Sequence, residues 1–207
     1  MGIKQLLFIL GSLCFASSVY AATSKHISHR IDASTLESVE ILIPVVQMRI
    51  EVYDGNAVEL EIDVRSKPRM WIFGRQSVDD IELEIDRDGN ELILGIDEKN
   101  LEQTWRVRIP RNLAINMNIG VGEVKLNQFA NDLDVDLGVG EVSVLVDDLE
   151  YRSINLSVGV GETTIRGFEH AARSNRELVS DSAHYNGDGE HRMDIEVGVG
   201  EASVVNR

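Results

Sequence analysis

The chain has 207 residues, with 35 Asp and Glu against 20 Lys and Arg and a formal net charge of −15. That length suits one sizeable domain, and so acidic a surface repels nucleic acid and anionic lipid headgroups. The single cysteine, Cys14, lies in the N-terminal apolar stretch, so the rest of the chain offers no disulfide, no thiolate nucleophile and no cysteine-ligated zinc or iron–sulfur cluster.

Residues 1–22 have the pattern of a Sec-type secretory signal. Lys4 supplies a positive start, Leu6 to Phe15 an apolar core, and Val19-Tyr20-Ala21 the small residues before a cleavage point after Ala21 or Ala22. No later apolar run reaches transmembrane length. A periplasmic or secreted location is expected after cleavage, with residues 23–35 as a flexible N-terminal segment.

Residues 36–207 are expected to form one β domain. Over 36–110 the apolar residues alternate with polar ones, as in "VEILIPVVQMRIEVYDGNAVELEIDVRS" and around the Asp88-Gly89-Asn90 turn, which marks strands with one buried face. These are expected to be irregular coils. The contiguous Met70, Trp71, Ile72 and Phe73 interrupt them, as an end plug for the fold or as a contact for a partner.

Residues 111–166 carry the regular part. Gly-Val-Gly-Glu begins at Gly120, Gly138, Gly159 and again at Gly198, with spacings of 18, 21 and 39 residues. Before each copy the apolar residues keep strict alternation: Ile115, Met117 and Ile119, for example, or Leu133, Val135 and Leu137. The alternation is expected to continue through Val121, Val139, Val160 and Val199 as buried residues. Beyond Gly-Glu the parity reverses, with Val124 and Leu126 in the first copy. A strand keeps one face buried across such a slip only if the backbone bends. Gly122, Gly140, Gly161 and Gly200 are therefore expected to be structural corners. The pattern predicts an all-β, single-stranded β-helix or β-solenoid with about 18–21 residues per coil.

The insertion at 167–192 fills the place of one repeat, with a short helix expected over His170 to Ser180 and a turn at Asn186-Gly187-Asp188-Gly189. The last coil, 193–207, is terminal in sequence. Its edge is expected to be covered by the insertion or by another chain, a route to self-association.

Glu123, Glu141 and Glu162 are expected to stack as a ladder, with Glu201 equivalent. Carboxylates ~4.8 Å apart repel by ~0.9 kcal/mol in water, so the row either faces solvent or holds a divalent cation. The calcium β-roll pattern Gly-Gly-x-Gly-x-Asp is absent, and no Lys and Ser/Thr follow to make a phosphate loop. His184 and His191, with Asp188 and Glu190, are a weaker metal candidate. No Ser–His–Asp signature is present; a polysaccharide-processing β-helix enzyme would need paired carboxylates in a groove beside an aromatic platform such as Trp71. The outward rows, Asn116, Asp134 and Asn155 beside Asn118, Asp136 and Ser157, would suit a glycan or protein partner.

The secretory-type N-terminus, the "WRVRIP" strand closing at Pro110 and repeats such as "LDVDLGVGEVSV" resemble the bacterial extracytoplasmic β-strand-repeat family of toast-rack type, a domain of unknown function that carries an adhesin label. The resemblance covers about residues 36–205. It implies a single-stranded, β-helix-like solenoid and offers no catalytic residues to carry over; a rigid repeat scaffold without a chemical site is expected to need no cofactor and to present its polar surface to an unidentified envelope protein or glycan. The insertion at 167–192 departs from a regular repeat.

Overall fold

In a computed structural model, residues 23–67, 77–147, 150–168, 173–176 and 179–207 are described. The signal-like residues 1–22 and the Met70–Phe73 cluster lie outside them.

The protein is all-β, with no helix among the described residues. Its strands are β1 (Ser24–Asp32), β2 (Ser38–Tyr53), β3 (Ala57–Ser66), β4 (Glu84–Asp88), β5 (Glu91–Gly95), β6 (Leu101–Pro110), β7 (Ala114–Asn127), β8 (Leu133–Val146), β9 (Tyr151–Arg166), β10 (Arg173–Arg176), β11 (Asp181–Asn186) and β12 (His191–Asn206). One hydrogen-bonded network joins them in the order β1-β3-β6-β2-β7-β8-β12-β9-β11-β10, with β4 paired to β5 and β5 to β2.

The centre of the sheet is parallel and in register. Strand β2 pairs β7, β7 pairs β8, β8 pairs β12 and β12 pairs β9, with like positions of the repeat side by side. Such a register forces each strand to double back. Leu133 must sit beside Ile115 at the start of β7, yet the chain leaves β7 at Asn127 and has only residues 128–132 to return. Five residues reach at most ~20 Å, whereas a straight 14-residue strand would span ~45 Å. The bend at the repeat closes that gap. Both arms then bury their alternate residues, Ile115, Met117 and Ile119 on one side and Val124 and Leu126 on the other, in one common core.

Strand β2 is a worn copy of the same unit. Ile41 and Ile43 are buried, then Val46, Met48 and Ile50, with the parity slip at Pro44-Val45. On its other side, β5 pairs the first arm of β2 and β6 the second, both parallel. Together β5 and β6 occupy one position with an enlarged corner.

Three expectations are corrected. Residues 23–35 are no flexible lead-in: Ser24–Asp32 is a strand paired along its length with β3, and it buries Ile27. The helix over His170 to Ser180 gives way, where described, to strand β10, Arg173–Arg176, which pairs β11 antiparallel. The last repeat is not an open end. Strand β12 lies between β8 and β9, because its backbone register matches both neighbours equally well. The insertion instead supplies β11, which covers the first arm of β9.

Candidate functional site: the repeat corner and the rows beside it

At three of the four corners the second glycine takes a backbone conformation that other residues rarely adopt. Gly140, Gly161 and Gly200 have φ of 144°, 148° and 144°. Close stacking adds a second demand. A Cβ on Gly140 would overlap the carbonyl oxygen of Gly122 on the adjacent strand, and one on Gly138 would come to 2.6 Å from the carbonyl oxygen of Gly120. The two glycines let successive corners nest, carbonyl against Cα.

The valine between them is not buried. Val121, Val139, Val160 and Val199 are 48%, 46%, 49% and 47% exposed. The parity slip therefore falls two residues earlier than the alternation implied: the last buried residue of the first arm is Ile119, Leu137, Val158 or Val197. With glycines on both sides, Val121, Val139, Val199 and Val160 stand in that order as an exposed ridge, continued by the half-buried Val45 beside Val121. A groove of about 680 Å³ runs beside this ridge, its lining including Val45, Val121, Val139, Arg65, Lys67 and Arg106.

The glutamates do stack, in a different order from the chain. The row reads Gln47, Glu123, Glu141, Glu201, Glu162, so Glu201 separates Glu141 from Glu162. Lys125 pairs with Glu123, and the Ser143 hydroxyl donates to Glu141 at 2.9 Å. These local partners spread the carboxylate charge along the second arm. Among the described residues, no group of three or more His, Cys, Asp or Glu side chains converges as a metal site would. His184 and His191 point to separate partners: His184 Nδ1 lies 3.0 Å from Asn155 Oδ1, whereas His191 lies near Asp132 and Glu150.

The first-arm polar rows also interleave β12. Asp194 sits between Asp134 and Asn155, whose Nδ2 donates to it at 2.6 Å. Of the two tryptophans, Trp71 lies outside the described residues. Trp105 is fully buried, its Nε1 donating to Gln103 Oε1 at 3.1 Å, so it forms no surface platform.

Sequence patterns alone missed the charged face over β1, β3, β6 and β2. Arg30 and Arg108 both pair with Glu59, and His26 and Arg106 with Asp63. Those hydrogen bonds, from His26 first and then Arg106, hold the Asp63 carboxyl below its ordinary value. Arg108 also lies 4.3 Å over the Tyr53 ring. The outward parity of "QMRIE" and "TWRVRIP" was visible, but not which strands lie side by side.

A cell adhesion protein of candidate status from Clostridium sporogenes has a similar fold, with a TM-score of 0.57 at 14% identity over 89% of this chain and all of that one. A candidate adhesin from Parabacteroides merdae aligns over 59% of this chain and 58% of its own at 12% identity, with a TM-score of 0.31. No curated protein matches the sequence. The family described as "N-terminal domain of toast_rack, DUF2154" matches residues 19–166, from before β1 to the end of β9. The chain belongs to the toast-rack family.

Proposed function

We propose that this protein is a non-catalytic, adhesin-like module of the cell envelope, a β-solenoid whose bent strands are its successive coils. The observation that carries this is the in-register stacking of β2, β7, β8, β12 and β9. It turns the outward positions of both arms into straight rows of mainly polar side chains on a rigid support, a surface suited to an extended partner. The fold shared with a candidate cell adhesion protein supports the same reading, as does the secretory pattern of residues 1–22 for an extracytoplasmic location. The stacked glutamates then serve as solvent-facing corner groups.

Fluorescently labelled protein incubated with fixed bacterial envelopes should bind saturably, and should release no reducing ends from envelope polysaccharides. Robust turnover of a polysaccharide, or no retention on any envelope fraction, would sink the proposal.

A further inference from the structure

One row of this surface breaks the charge pattern of its neighbours. The row Arg30, Glu59, Arg108, Glu51 alternates in sign from strand to strand. The next row reads Ser28, Glu61, Arg106, Arg49, Lys125, Ser143, Ser203, Thr164. It sets three cations side by side, one strand step of ~4.8 Å apart, in a chain that has acids to spare. Like charges so placed repel each other, so folding alone does not call for them.

Three acids near this row are already engaged, while Glu61 in the row and Glu51 beside Arg49 have no ion pair among the described residues. Asp63 binds His26 and Arg106, Glu59 binds Arg30 and Arg108, and Glu123 binds Lys125. Arg49, at the centre, has no ion pair among the described residues and is exposed. Arg49, Arg106 and Lys125 also share a concavity of about 370 Å³ with Gln47, Thr104, Glu51 and Glu123. Gln47 and Thr104, toward the corner from Arg49, are neutral, and the Glu123 carboxylate beside them is held by Lys125.

Beyond Lys125 the row turns from cations to hydroxyls. Ser143 and Ser203 lie 3.0 Å apart, Oγ to Oγ, and Thr164 continues the line. Two residues upstream on the same face runs the row Glu123, Glu141, Glu201, Glu162. Carboxylates accept hydrogen bonds from neutral hydroxyls and repel further anions. A continuous polyanion such as a nucleic acid is thereby disfavoured along this track, whereas a ligand with one anionic group followed by neutral hydroxyls fits it.

We propose that this track binds an anionic glycan, with the carboxylate or phosphate of one sugar on Arg49 between Arg106 and Lys125, and the hydroxyls of adjoining sugars along Ser143, Ser203, Thr164 and the glutamate row. Arginine suits this role because its planar fork of donors matches both anions. The assignment deepens the adhesin-like reading and rests on it.

The test is a ¹⁵N-NMR titration with glucuronate, glucose 6-phosphate, glucose and inorganic phosphate as probes. Glucuronate and glucose 6-phosphate should shift amides of β2, β6 and β7 around Arg49 and saturate, glucose should bind much more weakly, and phosphate should bind more weakly than its sugar ester. Arg49→Gln should weaken the two anionic sugars by about tenfold, the loss of one charge-assisted contact. Arg152→Gln, which removes an equal charge at the start of β9, should leave them unchanged. Equal binding by Arg49→Gln overturns the site, and phosphate binding as tightly as glucose 6-phosphate overturns the glycan assignment. Retention on fixed envelopes separates the two levels. If wild type and Arg49→Gln are retained alike, the track is wrong and the adhesin-like reading stands; if neither is retained and no probe binds, both fall.

Discussion

Gly140 carries two constraints at once, a φ of 144° and the carbonyl of Gly122 where its Cβ would be. Gly140→Ala should therefore cost roughly 3 kcal/mol or more in urea unfolding. Gly89→Ala serves as the comparison: its φ is 59° and nothing lies within 4 Å of the added Cβ, so it should cost only ~1–2 kcal/mol. The valine correction has its own pair. Val139 is half-exposed and Val142 fully buried, so Val139→Thr should change stability by no more than ~0.5 kcal/mol and Val142→Ala should lose ~2 kcal/mol. The parity reversal within each repeat was legible because it can be counted; the residue on which it falls was not, since Ile119-Gly-Val121 continues the alternation on paper. Asp63 adds a pH dependence. Its carboxyl in the folded state titrates below the ordinary 3.8, so its contribution is present above that value and fades as the pH falls through the depressed one. Asp63→Asn should remove that part of the acid sensitivity, a small effect because the pair is solvent-exposed; acid titrations followed by circular dichroism would show it.

At the level of the element, β12 is the informative case. Its position between β8 and β9 satisfies both edges in register from Met193 onward. A chain ending at Gly189 should lose the native sheet on the β8–β9 side, and a synthetic peptide of residues 191–206 added in trans should restore it, read by hydrogen exchange in β8 and β9. Repetition made the strands legible and hid their order. Leu133, Ile154 and Met193 occupy one position of one pattern, and a pattern that fits every neighbour identifies none. Strand β1 was hidden for another reason. Its inward residues are separated by polar ones that pair across β3, as His26 does with Asp63, and a two-stranded edge needs little apolar content. The cationic row was unreadable for the same reason as the order: Arg106, Arg49 and Lys125 come from three strands whose adjacency is a tertiary fact.

On the scale of the whole molecule, the bent strands and the antiparallel strands at both ends contribute to one core, from Ile27 near the N-terminus to Val204 near the C-terminus. Near-ultraviolet and far-ultraviolet circular dichroism should accordingly follow a single coincident transition in urea. Tyr151 ties the β7–β8 link to that core: its hydroxyl donates to the Phe129 carbonyl at 3.0 Å, and burial raises its pKa. The placement of β12 also has a bearing on time. The chain is made from its N-terminus, so β8 and β9 exist before the strand that belongs between them. Each matches β12 in the same register, so they also match each other, and before the last residues emerge the best partner for β8 is the wrong one. Native assembly must then undo a well-formed pairing, or hold a gap one strand wide until its filler arrives. In a crowded solution that gap is equally open to the C-terminal strand of another copy.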